Sequence, residues 1–119
     1  MGLMLHHSAK GDVWLVDLPE GVGHEQKGRR PAVVLHVKAN AVVVIIPLTS
    51  EFRNERFGHT HCIQPSKENG LSEESIALVF QIRALDPQRF IQKIGRLDKK
   101  DLDAVDELLV DMLRLSAAK

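Results

Sequence analysis

Pro31-Ala32-Val33-Val34-Leu35-His36-Val37-Lys38-Ala39-Asn40-Ala41-Val42-Val43-Val44-Ile45-Ile46-Pro47 is the stretch on which the fold turns. Its β-branched residues are stiff at χ1 and suit a pleated surface better than a helix. Lys38-Ala39-Asn40 divides it into strands at 31–37 and 41–47 and predicts a hairpin, with Asn40 tolerant of left-handed geometry. The second strand is almost wholly apolar, the pattern of a strand buried on both faces.

Upstream, residues 12–18 alternate, with Val13, Leu15 and Asp17 on one face and Trp14, Val16 and Leu18 on the other. Residues 19–30 form a long turn in which Gly21, Gly23 and Gly28 permit positive φ and Pro31 closes the loop. Downstream, residues 49–58 are polar and charged, which predicts an exposed loop. Residues 59–64 alternate as a strand, 65–70 form a turn, and 75–85 read as a strand or bent strand pair. A strand at 89–97 follows, with a short helical turn at Asp86-Pro87 before it. The last element is a helix. Asp98 caps it, Asp101 favours its start through the macrodipole, and Leu102, Val105, Leu109 and Met112 form a stripe widened by Leu108 and Leu113. Many short strands with one terminal helix predict a mainly β fold: a small, strongly bent sheet or partly open barrel with the helix packed on it.

The 119 residues make one domain, expected over residues 11–115, with a flexible lead-in at 1–10 and a frayed tail at 116–119. No apolar run approaches the roughly 18 residues that span a bilayer, and residues 1–10 lack a secretory apolar core. Cys62 is the single cysteine, so no intrachain disulfide can form and a reducing cytoplasm is the expected location. The formal net charge is zero, which excludes a polybasic nucleic-acid binder. From Asp98 onward six acids face four bases, so the rest of the chain carries the compensating positive charge, with Lys27, Arg29 and Arg30 clustered. Such a patch holds a phosphate or two rather than a long duplex.

Gly23-His24-Glu25-Gln26-Lys27-Gly28-Arg29-Arg30-Pro31 packs an imidazole, a carboxylate, an amide and two guanidiniums into one glycine-flanked loop. Loops held by a rigid scaffold commonly bear function, but these residues by themselves also fit a solvated polar loop. The wider sequence resembles the MazF/PemK toxin family. The likeness runs through Gly11-Asp12-Val13-Trp14-Leu15-Val16-Asp17, the Gly23–Pro31 loop with Ala32-Val33-Val34-Leu35, and Ile46-Pro47-Leu48-Thr49-Ser50. It continues through Gly70-Leu71, Ser75 and Gln81-Ile82-Arg83-Ala84-Leu85-Asp86, then Arg89 and Lys93-Ile94-Gly95-Arg96-Leu97.

The resemblance implies a small SH3-like, partly open barrel of the CcdB/MazF type that forms a two-fold dimer. It also implies single-stranded RNA as substrate and an acidic, partly disordered antitoxin as partner. The implied role is the toxin of a type II toxin–antitoxin system, an endoribonuclease that uses the RNA 2′-hydroxyl and needs neither metal nor cofactor. By the same resemblance Arg30, which precedes the loop proline, is the catalytic arginine, Thr49 the catalytic threonine, and Glu25 a carboxylate important for activity. His24, at a position often serine in relatives, either contacts RNA or shares the acid–base work. Gln26, Arg29, Ser50, Arg53 and Gln81 complete the expected substrate-binding set, and Arg56 joins Arg53 in steering RNA.

Two other readings stay open on the sequence. A CcdB-like gyrase-binding toxin shares the fold, but such toxins end in Trp-Gly-Ile, whereas this chain ends Leu115-Ser116-Ala117-Ala118-Lys119. A non-catalytic barrel that binds RNA or peptide is the third. His59 and His61 share a strand face at a spacing metal ligands can use, yet without further ligands at suitable spacing they are expected as surface residues. Cys62, Trp14 and Phe80 are expected in the core, and Arg83 and Arg89 in structural or dimer-interface ion pairs.

Overall fold

Seven strands and one long helix follow one another in the computed structural model, which describes residues 8–39 and 41–116. The strands are β1 (Asp12–Leu18), β2 (Gly28–Lys38), β3 (Val42–Thr49), β4 (Thr60–Ile63), β5 (Ser75–Leu78), β6 (Arg83–Leu85) and β7 (Phe90–Arg96), and the helix is α1 (Lys99–Leu113). Asn40 and the outer parts of the expected lead-in and tail, residues 1–7 and 117–119, lie outside the described residues. The β2–β3 hairpin is present, with Lys38 opposite Val42 and Val33 opposite Ile46. β1 pairs antiparallel with β2 on one side and with β7 on the other.

The outer edge of β3 is divided between two partners. Val43, Val44 and Ile45 pair with β6, whereas Leu48 and Thr49 pair with β5. A 3-10 turn at Val79–Gln81 separates β5 from β6, so of the two readings of 75–85, a strand or a bent strand pair, the bent pair is the one present. β4 adds to β5, giving the strand order β4-β5-β3-β2-β1-β7. Among the described residues β4 and β7 do not pair, so the bent sheet stays open between them. A second 3-10 turn, Pro87–Arg89, has Asp86 accepting from Gln88 N at 2.8 Å, the helical turn read from Asp86-Pro87.

Strand parity divides the core. Trp14, Val16 and Leu18 of β1 pack with Ala32, Val34, Val43, Ile45, Leu85 and Phe90 on one face of the central strands. Val13, Val33, Ile46 and Leu48 face the other way and are covered by Val105 of α1. Both faces are buried because the sheet curls over one and the helix lies on the other, which accounts for the near-continuous apolar run of β3. Asp98 caps α1 by accepting from Asp101 N at 2.8 Å. Leu108, Leu109 and Met112 pack against the second cluster, but Leu113 is exposed. The helix end runs past the sheet, as exposed Val110 and Leu115 also show.

His59 and His61 reach from the β4 segment to the helix, with Nε2 of His59 2.9 Å from Asp111 and Nε2 of His61 2.8 Å from Asp101. They dock α1, and the described residues contain no group of three potential metal ligands. No helix among the described residues is long and apolar enough to cross a membrane.

Candidate active site

The loop that carries the candidate residues is shorter than its sequence suggests. β2 begins at Gly28, so Arg29 and Arg30 are strand residues opposite Asp17 and Val16 rather than members of the turn. Pairing to β1 extends the ladder past Pro31, which β2 accommodates without its missing N–H. Gly28 has φ +80°, a left-handed conformation that glycine adopts without a Cβ penalty, and it converts the loop into the strand. The two arginines therefore project from a rigid element, not from a mobile tip.

What fixes the loop is Gln81. Its Oε1 accepts from Gln26 N at 2.9 Å and its Nε2 donates to the His24 carbonyl at 2.7 Å. This side chain clamps the backbone on both sides of Glu25 to the 3-10 turn at Val79–Gln81. Gln81 thus acts on the loop's backbone in this structure. The Glu25 carboxylate accepts from Val22 N at 2.7 Å and is otherwise exposed. Gln26 Oε1 is buried with no hydrogen-bond partner, a cost of about 1–3 kcal/mol that a donor from a ligand or a shifted loop would relieve.

Arg30 stands between two clefts. One, of about 360 Å³, holds His24, Glu25, Gln26, Lys27 and Arg53 beside it. The other, of about 340 Å³, holds Arg29, Thr49 and Ser50. Arg30 Nε donates to the Lys27 carbonyl at 2.9 Å, which aims the guanidinium while leaving its terminal nitrogens for other partners. Nη2 lies 4.0 Å from Glu51 Oε1, and Glu51 Oε2 is 3.3 Å from Arg53. Thr49, at the end of β3, is buried, and its Oγ1 accepts from Glu51 N at 3.1 Å. The hydroxyl is thereby oriented with its proton still available to donate.

The expected residues thus gather around Arg30, with Glu25 and His24 on one side and Thr49 and Ser50 on the other. Glu25 and Arg30 make no ion pair with each other among the described residues. Residues 49–58, expected as a loop, contain a 3-10 turn at Phe52–Phe57 that presents Arg53 and Arg56. Glu51 was missed by sequence reasoning, because no spacing rule marks a carboxylate that bridges two arginines. Phe57 was missed as well, although an aromatic residue in an otherwise polar loop is a readable signal. Phe80, expected in the core, is only half-buried and packs its ring against Phe57 at 5.4 Å. Arg83 and Arg89, expected in ion pairs, form none within the chain among the described residues. Arg83 lines a shallow cleft beside Glu25 and Phe80.

An open, strongly bent sheet with one covering helix, cationic and hydroxyl side chains gathered at its strand ends, defines a small mainly β domain with a positively charged cleft. The chain belongs to the PemK-like, MazF-like toxins of type II toxin–antitoxin systems, whose family model it matches over residues 9–113. It is 34% identical over 110 residues to Endoribonuclease EndoA of Bacillus subtilis (strain 168), a match covering 89% of this chain and 94% of that protein. The fold is similar to that of the Mycobacterium tuberculosis toxin MazF-mt6, with a TM-score of 0.70 at 17% identity, over 89% of this chain and 99% of that one. It is also similar to a chain of the MazE–MazF complex of Deinococcus radiodurans, with a TM-score of 0.63 at 29% identity, over 91% and 96% of the two chains.

Proposed function

We propose that this protein cuts single-stranded RNA as the toxin of a type II toxin–antitoxin pair, using Arg30 to stabilise the reacting phosphoryl group. RNA carries its own nucleophile. Attack by the 2′-oxygen on the adjacent phosphorus forms one P–O bond and breaks the bond to the 5′-oxygen, leaving a 2′,3′-cyclic phosphate and a 5′-hydroxyl. The protein must remove the 2′-hydroxyl proton, protonate the leaving oxygen and neutralise charge on the phosphoryl oxygens. No metal is required for any of these steps.

Arg30 has the permanent charge and fork geometry for the third task, and Thr49 donates to the same group. Glu25 and His24, on the opposite side of Arg30, supply the proton acceptor and donor. His24, Gln26, Arg29, Ser50 and Arg53 contact the strand, and Gln81 holds the loop that presents them. The observation that carries this reading is the position of Arg30 as the wall shared by both clefts, with its guanidinium hydrogen-bonded through Nε and Nη2 4.0 Å from Glu51.

The protein works in the cytoplasm as a two-fold dimer, and an acidic antitoxin segment lying across the cleft blocks RNA entry. The EndoA likeness and the MazE–MazF complex among similar structures support these assignments. The deciding experiment is cleavage of a long mixed-sequence RNA in excess EDTA by wild type and Arg30→Ala purified identically. Discrete fragments with 5′-hydroxyl ends from wild type alone are expected. An Arg30→Ala protein that cuts as fast as wild type refutes the assignment.

A further inference from the structure

The chain has four phenylalanines, one tryptophan and no tyrosine. Trp14 and Phe90 meet edge-to-face in the core at 5.8 Å. The remaining three, Phe52, Phe57 and Phe80, all lie in the 3-10 turns at the candidate site. Phe57 is 41% exposed. Its ring is 4.9 Å from the His24 ring and 5.4 Å from the Phe80 ring, tilted by 57° and 50°. The three rings form a continuous shelf, and Arg56 sits 4.7 Å over Phe57.

A single exposed phenylalanine needs no explanation. Three rings side by side at the rim of a charged cleft do. The adjoining cleft brings Lys27, Arg30, Arg53 and Arg56 together against only Glu25 and Glu51. In a chain of zero net charge, this excess of cations is local. Aromatic faces beside a cationic track are the two components by which proteins hold single strands: the cations follow the phosphates and the rings stack the bases.

We propose that the His24–Phe57–Phe80 shelf stacks one base of the RNA next to the phosphate held by Arg30, with Phe57 as the principal stacking residue. His24 joins the two halves of the site, since it belongs to the shelf and also lines the Arg30 cleft. Stacking one base there fixes the register of the strand and therefore which phosphate reaches Arg30. The inference rests on the nuclease reading above for its substrate and extends it to a specific subsite.

The test uses the full chain and a short RNA containing a site that wild type cleaves, or a mixed-sequence pool if none is found. 2-Aminopurine is placed in turn at each position, and the nucleotide supplying the attacking hydroxyl is 2′-O-methylated to block cutting. Wild type should quench the probe at one position flanking that nucleotide. Phe57→Ala should remove the quenching and lower kcat/KM by about 5- to 150-fold, chiefly through KM, while Phe57→Trp should keep both. An abasic nucleotide at the same position should penalise wild type but not Phe57→Ala.

Unchanged quenching and kcat/KM in Phe57→Ala overturns the shelf while leaving the nuclease reading intact. So does a variant impaired only in self-association, which would assign the rings to a protein interface. A wild type that quenches but never cuts unmodified RNA retains the shelf and removes the nuclease reading. RNA neither quenched nor cut overturns both.

Discussion

The thiol of Cys62 lies 3.1 Å from Oε2 of Glu74, whose carboxylate also accepts from the Gln64 amide. Burial and this carboxylate, aided by the negative charges of Glu55 and Asp101, push the thiol up to about 11. In return the hydrogen bonds from Cys62 and Gln64 hold Glu74 below the usual carboxylate range. The thiolate is the reactive form, so at pH 7 its population falls about a hundredfold below that of a thiol with the ordinary value of 9.0. Iodoacetamide should therefore label folded Cys62 on the order of a hundredfold more slowly than the unfolded chain at pH 7. The rate should climb until the pH passes about 11, and Glu74→Gln should accelerate it at neutral pH. Equal rates for folded and unfolded protein would show that Glu74 does not hold the thiol protonated. The sequence places Cys62 directly after His61 and on the opposite strand face, but not as half-exposed, because Glu74 reaches it only through β4–β5 pairing. Arg30 is singled out in the sequence by the family resemblance, which sets an arginine before the loop proline, and it lies on the wall between the two clefts. The Gln81 clamp on His24 and Gln26 spans more than fifty residues, and no local pattern encodes it.

At the scale of elements, the turn before β5 is pressed onto β7 without a side chain between them. A Cβ on Gly95 would stand 2.3 Å from the carbonyl carbon of Asn69, and one on Gly70 would stand 1.9 Å from the Ile94 carbonyl oxygen. Both contacts are with backbone, which cannot rotate away. The turn itself is organised by buried Asn69, whose Oδ1 accepts from Ser66 N and Leu71 N and whose Nδ2 donates to the Gln64 carbonyl. Arg96 N completes the junction by donating to the Glu68 carbonyl at 2.8 Å. Gly95→Ala must part the turn from β7, breaking that bond and loosening Leu71, which also lines the cleft beside Thr49. We expect it to destabilise the fold by about 3 kcal/mol or more, measured as a lowered midpoint in urea unfolding. A Gly95→Ala protein with the wild-type midpoint would show that the two segments separate at little cost. The sequence announces strands and turns because alternation and glycine placement are local properties. It leaves 75–85 open between one strand and a bent pair, because the 3-10 turn at Val79–Gln81 carries neither glycine nor proline. It does not announce that Gly70 and Gly95 meet, since their role depends on two segments brought together by the finished sheet.

Over the whole molecule, zero net charge conceals a separation. Three acids of α1 dock the helix, Asp101 and Asp111 meeting His61 and His59 and Asp106 meeting Lys10 at 2.9 Å, whereas Asp103 pairs with Lys99 on the helix itself. The cleft around Arg30 collects Lys27, Arg30, Arg53 and Arg56 at another part of the surface. This distribution makes a quantitative demand on RNA binding. A single strand that neutralises Z phosphates loses affinity with salt at a logarithmic slope of about −0.7Z. Glu25 and Glu51 offset part of the cationic charge, so the effective number of contacts lies between about two and four, and the slope between about −1.4 and −2.8. Base stacking on the aromatic shelf is uncharged and must persist at high salt. Binding of an uncleavable RNA, titrated between low and moderate salt by fluorescence anisotropy, should fall within that range. Arg53→Ala should flatten the slope by about 0.7, because it removes one phosphate partner and leaves Phe57 in place. Phe57→Ala should weaken binding equally at every salt concentration and leave the slope unchanged. A slope several times steeper would mean that the strand follows a wider surface than this cleft. A slope near zero would mean that the cations meet no phosphate, and the arrangement of charge around Arg30 would then lose its connection to RNA.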